Sequence, residues 1–432
     1  MTCRNRLGQT GVGPASHGGA LVGLECVRCG AAYGVVDLFT GCPRCLADGH
    51  PSNVAPVYRL DAVQWTREAL SRRPATMWRY RELLPVRDPV TLGEGGTPLL
   101  PLPRLGGAWG IDHLYLKDES RNPTGSFKDR LAAVVVTRAC EVGAGVVAIA
   151  SSGNAGAALA AYAARAGLRC VVLTAAGAPA PLVTQMLALG ACLVTTPTAR
   201  DRWPLLRQAV EALGWYPAGN FHDPPVGSNP YGIDGYKTIA FEILADLEWT
   251  VPGLVALPVC YGDGLWGVAR GFREARRLGL VDGEPRLVAG EVFGPLARAL
   301  VEGLDRVAEV PVGPSVAFSI AAGISTYQAL RALREGGEAC VLDDADLLEA
   351  QEALGTAEGI FVEASAAAGL AAVRRLAAQR RLPRGAPVVV VATAGGLKDV
   401  EAARSRRPPV PVVEPTLAAL RAALRQTYGL ET

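Results

Sequence analysis

From Ile111 to about Val400, the chain alternates short, unbroken apolar runs with longer stretches in which apolar residues, mostly alanine, recur at helical spacing. VVAIA (146–150) precedes AGAALAAYAARAG, CVVLT (170–174) precedes APLVTQMLALG, and LVALPV (254–259) precedes LWGVARGFREARRLG. A last run, PVVVVAT (387–393), follows AAGLAAVRRLAAQRR. Strand, turn and helix in repetition predict an α/β architecture, with parallel sheets covered by helices on both faces. Ligands of such sheets sit beyond the carboxyl ends of the strands, so chemistry is expected in the loops there. Elsewhere, MWRYRELLPV (77–86) predicts a helix packed against something larger, and residues 1–20 a flexible tail. Residues 406–432 read as a Pro-rich link, RRPPVPVVEP, and a final helix, TLAALRAALRQTYGL. That is too short for a separate effector domain, which needs on the order of 80 residues.

Composition narrows the class. At 432 residues the chain is expected to hold two or three domains, and it is long enough to bury a core without disulfide staples. A net charge of +2 and no basic stripe leave no electrostatic footprint for nucleic acid. No apolar run approaches the ~18 residues of a membrane helix, and MTCRNRLGQTGVGPASHGG lacks the apolar core of a secretory signal. A cytoplasmic enzyme is expected, and its ten cysteines are not expected to form disulfides. Four of them, Cys26, Cys29, Cys42 and Cys45, read C-x2-C, twelve residues, C-x2-C. A tetrahedral metal needs four converging thiolates, and each such turn supplies two, so the spacing predicts a structural zinc ribbon with no open coordination position. A redox dithiol, the rival, needs only one C-x2-C near a βαβ unit. Reduced, metal-free thiols are the plainest alternative.

Three loops that follow predicted strands are Gly-rich: SSGNAG (151–156), YGDG (261–264) and AGGLKD (394–399). The first two open helices, and free amides at a helix start can hold an anion. Glycine at a tight turn is the ordinary explanation for one such loop. Two in one chain suggest two anionic groups, such as a cofactor phosphate and a substrate carboxylate. Lysine occurs only at 117, 128, 237 and 398, against 39 arginines. In LYLKDESRNPTGSFKDR (114–130), Lys128 falls in the first turn of a helix, after a flexible Gly-Ser entry. A desolvated lysine there has a lowered pKa and can form a Schiff base. A solvated surface lysine is the bland reading, but arginine is this chain's surface default.

LGEGGTPLL (92–100), LKDESRNPTGSFKDR, SSGNAG, NPYGIDGYKT (229–238), EGIFVEASAAAGLAA (358–372) and ATAGGLKD (392–399) occur in this order. In these motifs the chain resembles the fold-type II, tryptophan synthase β-like pyridoxal-phosphate enzymes, and most closely the threonine synthase family, some members of which carry a Cys-rich N-terminal extension. The resemblance implies two open parallel-sheet α/β domains with pyridoxal 5'-phosphate in the cleft between them, plus a small four-cysteine ribbon. It places the ribbon at 21–50, a large cofactor-binding domain at 51–128 and 229–405, and a small domain at 129–228. Lys128 would bind the cofactor covalently and then shuttle protons, with Phe127 beside it as a structural residue. Asn154 would contact the cofactor's 3-hydroxyl, and Tyr261, Gly262, Asp263 and Gly264 its phosphate. Thr393 would face the ring nitrogen. A Thr hydroxyl is too weak an acid to protonate the ring, which favours elimination over transamination. Ser151, Ser152, Gly153 and Ala155 would hold the substrate carboxylate. A homodimer acting on a small amino acid is the family habit.

Two departures from the family pattern bear on substrate. The phosphate loop of relatives is nearly all glycine, whereas this one reads Cys260, Tyr261, Gly262, Asp263, Gly264. An acid beside a phosphate is unfavourable unless its side chain turns away, and Cys260 reads as an inert buried thiol. Where the family presents Asn, Ser and Arg to the phosphate of O-phosphohomoserine, this chain has Val226, Gly227 and Gly232. Losing an Arg–phosphate contact costs about 2 kcal/mol or more, so the site is expected either to use a substrate without a terminal phosphate or to hold that phosphate by other groups, Ser228 or one of the many arginines. Three enzyme readings are therefore weighed: a synthase converting O-phosphohomoserine and water to threonine and phosphate, a threonine or serine ammonia-lyase, and a β/γ-elimination or replacement enzyme of a specialised pathway using a substrate without a terminal phosphate. A catalytically silent paralogue is disfavoured by the intact set Lys128, Asn154 and Thr393.

Overall fold

The computed structural model describes residues 20–431, so nearly all of the expected tail at 1–20 lies outside the described residues. Three sheets organise them. The strands, in chain order, are β1 (Leu21–Cys26), β2 (Ala32–Tyr33), β3 (Val54–Tyr58), β4 (Leu99–Pro101), β5 (Leu114–Asp118), β6 (Val146–Ala150) and β7 (Arg169–Ala175). They continue with β8 (Cys192–Thr196), β9 (Tyr216–Pro217), β10 (Leu254–Pro258), β11 (Arg286–Glu291), β12 (Glu338–Val341) and β13 (Val388–Ala392). The first sheet is a small antiparallel ribbon in the order β2-β1-β3. The largest runs β12-β11-β10-β13-β5-β4, and the third runs β8-β7-β6-β9. All neighbours in the last two sheets are parallel except β4, which closes the edge beside β5 antiparallel. The sequence pattern did not single out that edge strand.

Burial explains the unbroken apolar runs. All five residues of β13, VVVVA, are buried, as a central strand covered by helices on both faces requires. Helix α1 (Lys128–Glu141) is buried without a break from Asp129 to Ala139. Its Val134–Val136 run is a poor helix former, so packing rather than propensity makes this helix. It lies against α2 (Asn154–Ala166), the helix after β6, and so carries the start of one sheet's crossover to the other. In its last turn Cys140 is disulfide-bonded, against the expectation that every cysteine is free. The predicted helix at 77–86 is instead a 3-10 segment, Met77–Leu83, broken at Tyr80, where the backbone leaves helical angles and the ring packs on Trp65 and Phe241.

A largely buried ion network fixes where α1 begins. Arg130 donates to Glu119 at 2.7 Å and to Glu242 at 2.6 Å, and its other nitrogen contacts include Thr238 at 2.8 Å. Lys117 on β5 adds bonds to Glu242 at 3.0 Å, Asp246 at 2.9 Å and the Thr97 carbonyl at 2.6 Å. Removing one member would strand a buried charge, at a cost of about 3–5 kcal/mol. The end of β5, the start of α1 and helix α3 (Lys237–Asp246) are thus tied at one point. No helix among the described residues is long and apolar enough to cross a membrane.

Candidate active site

The carboxyl ends of the two parallel sheets face one another, and the loops leaving β5, β6, β10 and β13 meet there. The backbone N–H of Phe127 donates to the Thr393 carbonyl at 2.9 Å, Gly395 N–H to the Gly125 carbonyl at 3.1 Å, and Ser126 bridges Ala394. These bonds hold the loop before α1 against the end of β13. From the other sheet, Asn154 donates through Nδ2 to Glu363 Oε2 at 3.0 Å, and Gln185 Nε2 donates to the Thr124 carbonyl at 3.1 Å.

The four lysines separate cleanly. Lys117 is held in the network above, Lys237 pairs with Asp234 at 3.1 Å and Glu274 at 3.0 Å, and Lys398 donates to Gln185 Oε1 at 2.8 Å. Lys128, half-buried, has no hydrogen bond or ion pair among the described residues. Its Nζ lies 4.5 Å from the centre of the Phe127 ring and 5.5 Å from that of Tyr236, and those rings stack at 4.8 Å. Desolvation lowers its pKa below the usual lysine value, against the raising pull of Asp263, Cys260 and Glu363. An amine that is free of partners and easier to deprotonate is suited to nucleophilic chemistry.

The loop after β10 answers the question raised by its acid. Helix α4 (Asp263–Arg277) is preceded by Gly262 at φ +80°, where an added Cβ would lie 2.1 Å from that of Ala329. Asp263 turns its carboxylate out of the loop: it accepts from Ser228 Oγ at 2.6 Å, from Ser228 N at 3.3 Å and from Gln328 Nε2 at 2.6 Å. Ser325 and Thr326 hydroxyls hold the Cys260 and Tyr261 carbonyls at 2.7 and 2.6 Å. The first-turn amides of α4, which lack intrahelical partners, are left to an anion. At Gly264 an added Cβ would come within 2.7 Å of the Phe127 ring, which ties this turn to the lysine's neighbour. Burial pushes the Cys260 thiol up to about 12, only partly countered by Lys128, so it stays protonated.

At the start of α2, Ser151 Oγ accepts from Gly153 N and Gly156 N, each at 3.2 Å, so it closes its own turn. Ser152 Oγ accepts from Ala175 N at 3.2 Å and from Arg202 Nη1 at 2.8 Å. Both hydroxyls keep a proton to donate. Asn154 is buried, and its Oδ1 has no partner. That orphaned acceptor fits a cofactor hydroxyl, and with the free amine and open helix turn the residues present fit pyridoxal phosphate. Thr393 is buried at the end of β13. The structure thus brings together Lys128, Asn154, Thr393 and the two loops. It also adds Glu363, Arg202, Gln185 and Gln328, which pattern reading did not assign, and places Ser228 against Asp263. Glu363 stood in the quoted EGIFVEAS motif, whereas Arg202 is one of 39 arginines with no local mark.

Val226, Gly227 and Gly232 offer no polar side chain. Gly227 sits at φ +120°, with Gln328, Asn53 and Asp263 atoms 2.6–3.0 Å from an added Cβ, and at Gly232 such a Cβ would meet Val135 Cγ2 at 2.4 Å.

Away from this seam, the Sγ atoms of Cys26, Cys29, Cys42 and Cys45 all lie within 4.8 Å of one another. Cys26–Cys45 and Cys29–Cys42 are 3.6 and 3.7 Å apart, close to the ~3.8 Å edge of a tetrahedron with ~2.3 Å zinc–sulfur bonds. Backbone N–H groups of Arg28 and Cys29 point at Cys26 Sγ. This donor set fits a structural metal.

Residues 90–394 match the family model described as pyridoxal-phosphate dependent enzyme. The threonine synthase of Methanosarcina acetivorans is 36% identical over 409 residues, which cover 93% of this chain and 98% of that protein. That of Methanocaldococcus jannaschii is 34% identical over 401 residues, 90% of this chain and 96% of its own. Among solved structures, diaminopropionate ammonia lyase from Escherichia coli superimposes with a TM-score of 0.64 at 21% identity, covering 73% of this chain and 88% of that one, which shows the shared fold.

Proposed function

This chain belongs to the pyridoxal-phosphate-dependent enzyme family and is a threonine-synthase-like lyase, and from that premise we propose that it converts O-phosphohomoserine and water to threonine and phosphate. The observation that carries the reading is Lys128: a partner-free, desolvated amine beside a buried, half-satisfied Asn154 and an open helix turn. Bound in the seam, pyridoxal phosphate supplies the electron sink that stabilises negative charge at the substrate's α carbon. Lys128 binds it and, once free, moves protons at the α and β carbons. Asn154 Oδ1 accepts from the cofactor's 3-hydroxyl, Tyr261, Gly262, Asp263 and Gly264 hold its phosphate through backbone amides, and Thr393 faces the ring nitrogen. Ser151, Ser152, Gly153 and Ala155 take the substrate carboxylate.

The same reading divides the chain into a large cofactor-binding part (51–128 and 229–405) and a small one (129–228), working as a cytoplasmic homodimer. The ribbon cysteines hold zinc for stability, not for chemistry.

One observation favours a second reading, a threonine or serine ammonia-lyase. Val226, Gly227 and Gly232 carry no group for a substrate phosphate, and the packing at the two glycines leaves no room for a larger side chain. Incubating the holoenzyme with O-phosphohomoserine, threonine and serine in turn separates the two. Phosphate release from the first supports the synthase. Keto acid from the others, with the first inert, overturns it. Borohydride reduction followed by peptide mapping should label Lys128, and an unlabelled Lys128 would remove the whole site assignment.

A further inference from the structure

With no polar side chain at Val226, Gly227 and Gly232, a cation for a substrate side chain has to come from one of the chain's many arginines. One stands on the opposite wall of the seam. Arg202 opens the helix Arg202–Leu213 that follows β8, at the carboxyl end of the four-stranded sheet. Its Nη1 donates to Ser152 Oγ at 2.8 Å, and its Nε to the Ala199 carbonyl at 2.9 Å. The next residue, Trp203, lays its ring against that of Tyr261 with centroids 5.8 Å apart. The guanidinium therefore stands at the junction of the serine loop and the loop after β10.

Arg202 is an arginine at the seam without a counter-charge. Arg130 and Arg270 are clamped by buried carboxylates, and Arg138, stacked on Tyr231, has Asp37 and Glu141 beside it. Lys398, another basic group at the seam, already donates to Gln185 and has Asp129 and Glu363 around it. No carboxylate among the described residues lies within ion-pair distance of Arg202, although it is half-buried. A partly desolvated cation held in place by neutral partners, with donors left over, is built for an anion that arrives from outside.

We propose that Arg202 is the specificity-determining residue of this site, recognising an anionic group, a phosphate in the first instance, on the side chain of the amino-acid substrate. This rests on the lyase reading above and deepens it: a side-chain hydroxyl gains little from Arg202, whereas a phosphate dianion gains a charge-assisted, two-pronged contact. It supplies from the small sheet what Val226, Gly227 and Gly232 cannot.

The test compares wild-type holoenzyme with Arg202→Gln, which keeps a donor for Ser152 and removes the charge, and with Arg202→Lys, which keeps the charge and removes the fork. With O-phosphohomoserine, the Gln variant should lose about 10- to 100-fold in kcat/KM, mainly through KM, and the Lys variant less. Binding of inorganic phosphate to the holoenzyme, measured by calorimetry, should weaken by a similar factor. An equal loss toward serine or threonine would mean that Arg202 serves the common α-carboxylate, and would overturn the proposal. So would unchanged phosphate affinity in the Gln variant. If wild type releases no phosphate from O-phosphohomoserine, the synthase reading fails by itself. The calorimetric comparison then still decides the role of Arg202.

Discussion

The ribbon cysteines lie within twenty residues of one another, from Cys26 to Cys45, whereas Lys128, Asn154, Arg202, Asp263, Glu363 and Thr393 come from six segments and both large sheets. The ribbon is a local device: two short turns aim its sulfurs, and backbone amides steady them. The seam is a global one, in which each group is placed by a different strand end and nothing converges unless both sheets are in register. The difference teaches where each should fail. Damage to the ribbon should cost stability and leave the chemistry recognisable, whereas damage to the seam should cost chemistry and leave the fold.

The sharpest break is Lys128→Ala. Turnover should fall by at least about 10³-fold, since both covalent binding and proton transfer are lost. Circular dichroism and bound zinc should match the wild type, and residual turnover near wild type would remove Lys128 from its role. Next comes Cys26→Ser, which should release the metal and lower the melting temperature by about 5 °C or more, as loss of a few kcal/mol would. An unchanged melting temperature and metal content would count against the ribbon. A smaller effect is expected for Asn154→Ala. Loss of one hydrogen bond to the cofactor, about 1–1.5 kcal/mol, should weaken cofactor affinity roughly tenfold, read by absorbance titration. The subtlest is a pH profile. Because burial lowers the Lys128 pKa, cofactor uptake by the apoprotein should rise with pH to a midpoint below 10.5, as the neutral, reactive amine forms. A midpoint at or above 10.5 would show the amine to be solvated.

The ribbon and the parallel-sheet architecture were legible in the chain because both rest on short-range pattern. The two C-x2-C pairs are contiguous, and VVAIA, LVALPV and PVVVVAT lie at or within one residue of the observed strands β6, β10 and β13. The edge strand β4 was missed because three residues, LLP, carry no periodicity. Lys128 could be singled out because lysine is rare here. Arg202 could not, since its role comes from what is absent around it, and the lack of a counter-charge is visible only in three dimensions. The orientation of Asp263 depended likewise on Ser228 and Gln328, 35 and 65 residues away.

The scarcity of lysine has a practical consequence. Three of the four amines are engaged, so, the α-amino terminus aside, a reagent that seeks amines meets one uncommitted side chain in the whole chain. A protease that cuts after lysine divides the sequence at four points, and a modified Lys128 erases one of them. Occupancy of the cleft can therefore be counted from the fusion of two neighbouring fragments, without following catalysis at all.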